Sequence, residues 1–354
     1  MGPRNDARAH TDPVSTIPGV PTQILLAPDS FKGTFSAREV AEAVGSGLRE
    51  AGCDVDLCPV ADGGEGTLEA LVAPLGAELH QVEVGDPLRR AVRAQFGLAI
   101  IPAGRGREAV GIIEVASASG LGLVAEEERD PLAADTFGTG ELILAAVEAG
   151  ARTLYLGVGG SATTDGGAGA IAAIERGGGL CGARLVVLCD VRTPFEDAGR
   201  VFAPQKGADG EDVRRLTKRL HALARRLPRD PRGIPMTGAA GGLSGGLWAA
   251  FEAELIPGAA FVLDAIDFDR RMRGARAVVA GEGKLDQQSL AGKAVSEVST
   301  RARQSGVPCF AVTGRRELDS FGARILDLQA VLEAGNLSEL RRAGAELAQL
   351  IFAG

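Results

Sequence analysis

Short apolar runs alternate with longer segments whose apolar positions recur every three or four residues, from residue 23 to the end of the chain. Runs at 23–27 (QILLA), 55–60, 154–158, 184–189, 278–280, 308–312 and 330–332 predict strands. Helices are predicted between them, at 68–75, 142–149, 209–227 and 247–251, from 168 and 294 onward, and in the final segment to 354. A further helix follows Ser36, with Glu39 at the capping-box position and Val40, Ala43, Val44 and Leu48 along one side. Segments 82–84, 91–96 and 109–114, set apart by Gly85-Asp86-Pro87, Gly104 and Gly106, predict a more antiparallel region. Strands that repeatedly end in glycine plus Asp or Lys before a helix predict a parallel α/β protein whose loops gather at one edge.

The stretch 153–168, TLYLGVGGSATTDGGA, is the densest case. A buried strand that runs into glycines and then a helix start leaves a group of free backbone N–H donors, so a phosphate or carboxylate is the expected guest. Asp165 in that loop implies a metal ion or a proton to be taken, since a carboxylate beside phosphate needs such company. A loop that binds nothing is the plain alternative. A third reading is open because Gly157, Gly159 and Ala162 match the dinucleotide fingerprint, although its acidic partner is missing: the nearby Glu175 falls in the predicted helix. Other strand ends carry Asp29 with Lys32, Asp62 with Glu65, Asp190, and Lys284 with Asp286.

A chain of 354 residues suits about two domains. No uninterrupted apolar run approaches the ~18 residues of a membrane span, and a net charge of −8 argues against nucleic acid as the main partner. Five scattered cysteines without a C-x-x-C pair indicate reduced thiols in a cytoplasm. His10, His80 and His221 lie outside the glycine-rich motifs, which disfavours a histidine base. Of 38 basic residues only Lys32, Lys206, Lys218, Lys284 and Lys293 are lysine, and all but Lys218 adjoin a glycine, where a compact ammonium suits a phosphate or carboxylate. Residues 1–22 are polar and dotted with proline, and are expected to form a disordered leader.

Nine ordered motifs then resemble the bacterial glycerate kinases of the type-1 family: APDSFKGTFSA (27–37), PVADGGEGT (59–67), RDPL (129–132), GTGELI (138–143), GVGGSATTDGGAG (157–169), CDV (189–191), PQKGA (204–208), GAAGG (238–242) and GEGKLD (281–286). The likeness covers nearly everything from residue 24 onward. It implies ATP-dependent phosphorylation of D-glycerate with Mg²⁺, favouring 2-phosphoglycerate over 3-phosphoglycerate. It also implies two α/β domains: a flavodoxin-like one with a parallel sheet, expected over 23–75 plus 275–354, and a mixed-sheet α/β domain, 76–274, inserted into it. The chain departs from its relatives in a short connection at 175–184 where they carry a longer insert, in Lys284 where they often have Arg, and in a longer glycine run at 241–246.

Phosphoryl transfer needs aligned phosphates, charge neutralisation and a group that takes the hydroxyl proton. For these roles the expected catalytic residues are Asp190 as base, Lys32 and Asp165. Asp29, Ser30, Arg192 and Lys206 are expected to bind substrate, with Arg192 and Lys32 as carboxylate partners. Gly159, Gly160, Ser161, Gly241, Gly242 and Lys293 are expected around the nucleotide, and Asp165, Asp286 and Asp62 near the metal. Each has the alternative of capping or bracing a loop. An NAD(P)-dependent oxidoreductase and a non-catalytic nucleotide or metabolite sensor remain as rival functions, and a homo-oligomer is left open.

Overall fold

The computed structural model of the chain describes residues 22–104, 106–290 and 292–353. The expected leader lies, apart from Thr22, outside them. The described residues contain strands β1 (Gln23–Pro28), β2 (Asp54–Leu57), β3 (Glu78–Gly85), β4 (Ala91–Ala103), β5 (Gly106–Glu114), β6 (Thr153–Gly157), β7 (Arg184–Leu188), β8 (Glu254–Ile256), β9 (Ala277–Leu285), β10 (Cys309–Arg316) and β11 (Leu328–Glu333). The chain divides into two compact units. One takes the described residues of Met1–Pro59, Asp269–Asp286 and Val298–Gly354, and the other takes Val60–Phe268 and Gln287–Glu297.

The first unit is built on a parallel sheet in the order β11-β10-β9-β1-β2. Counted within the unit, this is the 2-1-3-4-5 order of flavodoxin-like folds. Both faces are covered, as an all-parallel sheet requires, so β1 reads as continuous apolar sequence with Ile24, Leu25 and Leu26 buried. The helix Ala37–Glu50 starts on the predicted capping box: Ser36 Oγ accepts from Glu39 N at 3.2 Å, and Glu39 accepts from Ser36 N at 2.8 Å. Its Val40, Val44 and Leu48 join Leu340, Ala343 and Leu347 of the C-terminal helix Leu337–Ala353 in one core. The two helices approach so closely that a Cβ on Gly47 would lie 1.8 Å from the Arg341 carbonyl oxygen.

The second unit has a six-stranded sheet in the order β3-β4-β5-β6-β7-β8. The β3-β4 and β4-β5 pairs are antiparallel, whereas β5 through β8 run parallel. The antiparallel strands are longer than predicted because their outer ends are exposed or half-buried, a weaker signal than a continuous apolar run. The main core lies between this sheet and helices that include Phe137–Glu148, Ala168–Arg176 and Leu243–Phe251, and it buries Leu142, Ile143, Leu154, Leu156, Ile174 and Leu243. The division after Pro59 differs from the expected boundary at 75. The reason is visible in the helix Thr67–Leu75, whose Leu68 N donates to Glu114 at the end of β5 at 2.7 Å. On the return, the division falls before Asp269 and not at 275, and 287–297 stays with the second unit.

Candidate active site

In the first unit the crossover from β1 to β9 is where the strand order reverses, and the carboxyl ends of adjacent strands there form the ligand-binding crevice of such sheets. Pro28 pairs with Gly281, and Asp29 N donates to the Gly281 carbonyl at 2.8 Å. Asp29, Ser30 and Lys32 therefore stand beside the 281–286 segment that carries Lys284 and Asp286. Asp29 is buried and accepts from Ser30 N, Lys32 is exposed, and Ser30 Oγ is buried with no hydrogen-bond partner among the described residues. Asp286, expected near a metal, lies 3.6 Å from Lys284 Nζ, which also pairs with Glu317 at 2.8 Å.

In the second unit the register places Glu114, Gly157, Leu188 and Ile256 in a line across β5 to β8, so the loops that follow them leave one edge together. The 62–64 turn packs into that edge: Gly159 N donates to the Gly63 carbonyl, and a Cβ on Gly63 would meet the Leu188 carbonyl oxygen at 2.7 Å. Asp62, Gly159, Gly160, Ser161 and Asp190 are thereby gathered at this edge. Gly160 is exposed, while Ser161 is buried. Arg192 is exposed two residues beyond Asp190, and a Cβ on Gly292, next to Lys293, would lie 3.9 Å from the Asp190 carbonyl oxygen.

The helix starts at this edge, where an external anion was expected, already hold carboxylates of the chain. Asp165 Oδ2 accepts from Thr136 N at 3.0 Å, Thr136 Oγ1 at 2.8 Å and Gly169 N at 2.9 Å, and its Oδ1 accepts from Gly167 N at 3.1 Å. It thus fills the first turns of the helices Phe137–Glu148 and Ala168–Arg176. With three donors on Oδ2 and one on Oδ1 it is largely committed as a brace, which leaves only Oδ1 for the metal-binding and catalytic roles expected of it. Burial pushes its carboxyl pKa up, against the pull of those four bonds. Gly241 and Gly242, expected around phosphate, are buried in packing instead. Gly241 has φ +65, and a Cβ there would fall 2.1 Å from the Thr163 carbonyl oxygen.

Asp190 has the same habit but keeps capacity. Its two oxygens accept one bond each, from Gly258 N at 2.8 Å and Ala259 N at 2.9 Å, at the start of the helix Gly258–Ala265. Burial and the nearby Asp62 and Glu297 charges push its pKa up to about 7, against those two bonds. Asp62 accepts from Gly64 N at 3.0 Å. One or two carboxylates with waters and phosphate oxygens make up a usual Mg²⁺ shell, so Asp62 at this edge fits that ion with a nucleotide. Among the described residues no group of three or more acidic, His or Cys side chains could hold a metal ion without such help.

Lys206 is buried at 3 % exposure. Its Nζ donates to Ser161 Oγ at 2.9 Å and to the Thr163 carbonyl, and burial lowers its pKa to about 7 against the pull of Asp165. Two polar residues escaped the sequence reading. Glu114 caps the helix Thr67–Leu75 and is pushed up to about 7, chiefly by burial. Arg129 lines a narrow recess with Lys206. The RDPL motif holds Arg129, yet nothing local says that its Nε is buried.

No helix among the described residues is long and apolar enough to cross a membrane. The sequence matches the glycerate kinase family over residues 24–177 and 178–351. It is 38% identical over 328 residues to a glycerate kinase of Halalkalibacterium halodurans, covering 82% of this chain and 85% of that one. It is also 38% identical over 332 residues to the glycerate 2-kinase of Escherichia coli, with 82% and 85% covered. The crystal structure of a proposed glycerate kinase 2 from Salmonella typhimurium superposes with a TM-score of 0.75 at 34% identity, covering 94% of this chain and 99% of that one. A shared family model across both halves, relatives matched over most of their length and a common fold agree: the chain belongs to the glycerate kinase family.

Proposed function

We propose that the protein transfers the γ-phosphoryl group of ATP to D-glycerate, with Mg²⁺, and forms 2-phosphoglycerate. Family membership supports the reaction class, and one observation carries the assignment of the base. Asp190 is a strand-end carboxylate held, among the described residues, by only two backbone donors and poised at about 7, where a base accepts a proton readily and is largely unprotonated just above neutral pH. In this reading Asp190 takes the proton of the attacking hydroxyl. The turn at Gly159 and the exposed Gly160, with Ser161, approaches phosphate oxygens, and Lys293 neutralises charge beside it. Mg²⁺, when bound, would neutralise phosphate charge, and Asp62 is the carboxylate assigned to it. Lys206 receives the substrate. In the first unit, Asp29, Ser30 and Lys32 are assigned to ligand binding at the β1–β9 crevice.

A coupled ADP-release assay with D-glycerate, L-glycerate and related hydroxy acids, followed by phosphorus NMR of the product, tests the proposal. Release with D-glycerate and a 2-phosphoglycerate signal are expected; no glycerate-dependent release removes the catalytic reading, and a 3-phosphoglycerate signal removes the regiochemistry. Asp190→Asn should keep ATP affinity and lose turnover. In the parent enzyme kcat/KM should rise with pH through about 7, as the carboxyl gives up its proton.

A further inference from the structure

We infer that the recess between the 129–134 turn and Lys206 is the subsite for the substrate carboxylate, with Arg129 the residue that selects an acid over a neutral polyol. The inference rests on the glycerate kinase reading for its substrate, and on three features of the recess itself. Arg129 Nε is buried with no hydrogen-bond partner among the described residues. A guanidinium cannot shed its charge, so an unmatched buried donor on it is costly unless an anion completes it. Its stem runs along Gly207, where a Cβ would meet Arg129 Cβ at 3.5 Å, which sets it beside Lys206.

Lys206 supplies the second cation. Two of its three N–H bonds go to neutral acceptors, Ser161 Oγ and the Thr163 carbonyl, and among the described residues one remains. The acid that acts on it through space, Asp165, is committed to two helix starts. A buried ammonium without a contacting carboxylate is poorly compensated, and a carboxylate arriving from outside supplies what is missing.

The walls then choose among anions. Ala162, Val124 and Pro131 line the recess, so charge is weakly screened there, and the space admits at most about one water-sized group. One oxygen of an anion can enter while the rest of the molecule stays at the mouth. Asp130, whose Oδ1 accepts from Leu132 N and Ala133 N, also lines the recess. Its charge opposes a dianion more than a monoanion.

The test compares D-glycerate with its uncharged amide, which keeps both hydroxyls, in the parent enzyme and in Arg129→Gln and Arg129→Lys. For Arg129→Gln the KM for D-glycerate should rise about 30- to 100-fold, with kcat within about threefold and the KM for ATP unchanged. Its preference for acid over amide should collapse, and Arg129→Lys should restore part of it. A KM for glycerate within twofold of the parent and an intact preference, in a variant that melts normally, overturn the inference. Calorimetric titration with D-glycerate and propanoate, without nucleotide, separates it from the kinase reading. Carboxylates that bind the parent but not Arg129→Gln uphold the subsite even where no ADP is released. Normal turnover with unchanged binding in Arg129→Gln defeats the subsite and leaves the kinase standing.

Discussion

Replacing Asp165 by alanine separates a brace from a metal ligand. The change strands the backbone N–H groups of Thr136, Gly167 and Gly169, all on buried residues, while Thr136 Oγ1 keeps its bond from Ala170 N at 3.0 Å. An unsatisfied buried donor costs about 1–3 kcal/mol, so three of them, partly relieved by water, come to about 4 kcal/mol. For a unit of this size, that corresponds to a fall of about 10 °C in Tm. Asparagine should be intermediate, at about 1–2 kcal/mol, because one of its two ends turns an N–H toward backbone donors. Scanning calorimetry of the parent and both variants gives the answer. A Tm for Asp165→Ala within about 2 °C of the parent, together with a lost response to Mg²⁺, would refute the bracing argument.

Other outcomes follow from the same edge and from the packing around it. Glu114 is raised from 4.5 to about 7 on folding, so its contribution is full below about 4.5 and is lost as pH rises through about 7. Glu114→Gln, set against the parent in denaturant melts, should therefore gain about 2–3 kcal/mol in relative stability between pH 5 and 8; a difference independent of pH would count against this. Gly241→Ala should cost at least about 3 kcal/mol, since φ is +65 and the Thr163 oxygen lies 2.1 Å from the new carbon. Gly233→Ala, at φ +73 with nothing within 4 Å, should cost only about 1 kcal/mol by the same melt, and equal losses would contradict the packing account. Thiol titration of the native protein should find a single fast group, the exposed Cys181. Burial covers the other four cysteines and pushes Cys58, Cys189 and Cys309 up to about 12, so a second fast thiol would show that one of these sites opens.

What the sequence made legible was whatever is encoded within a few residues. The Ser36–Glu39 capping box, the apolar runs of β1, β6 and β7 and the helix beginning at Ala168 all depend on local periodicity and caps, and they stand where expected. The strand β8 and the helix Gly258–Ala265 did not announce themselves, because a three-residue strand has almost no period to read. The site divides along the same line. That Gly159 and Asp190 follow neighbouring parallel strands was readable from the strand–helix alternation, whereas Asp62 follows β2 of the other sheet and reaches their edge only through the packing of the 62–64 turn, which no local pattern announces. That Asp165 answers to Thr136, 29 residues earlier, was not readable, since a carboxylate among glycines looks the same whether it holds a cation or a helix start. Gly241 shows the same limit: close backbone packing and a phosphate cradle both call for glycine.

The insertion of Val60–Phe268 between strands of the first sheet fixes an order of events on the ribosome. Nearly all of the inserted unit leaves the exit tunnel as one continuous stretch and can condense while translation proceeds. By contrast β1 and β2, made first, wait for β9 to be translated, roughly 10–40 s at ordinary elongation rates. During that interval Ile24, Leu25 and Leu26 are without the neighbour that later covers them, so the nascent amino-terminal segment is where chaperones should engage and where truncated products should aggregate.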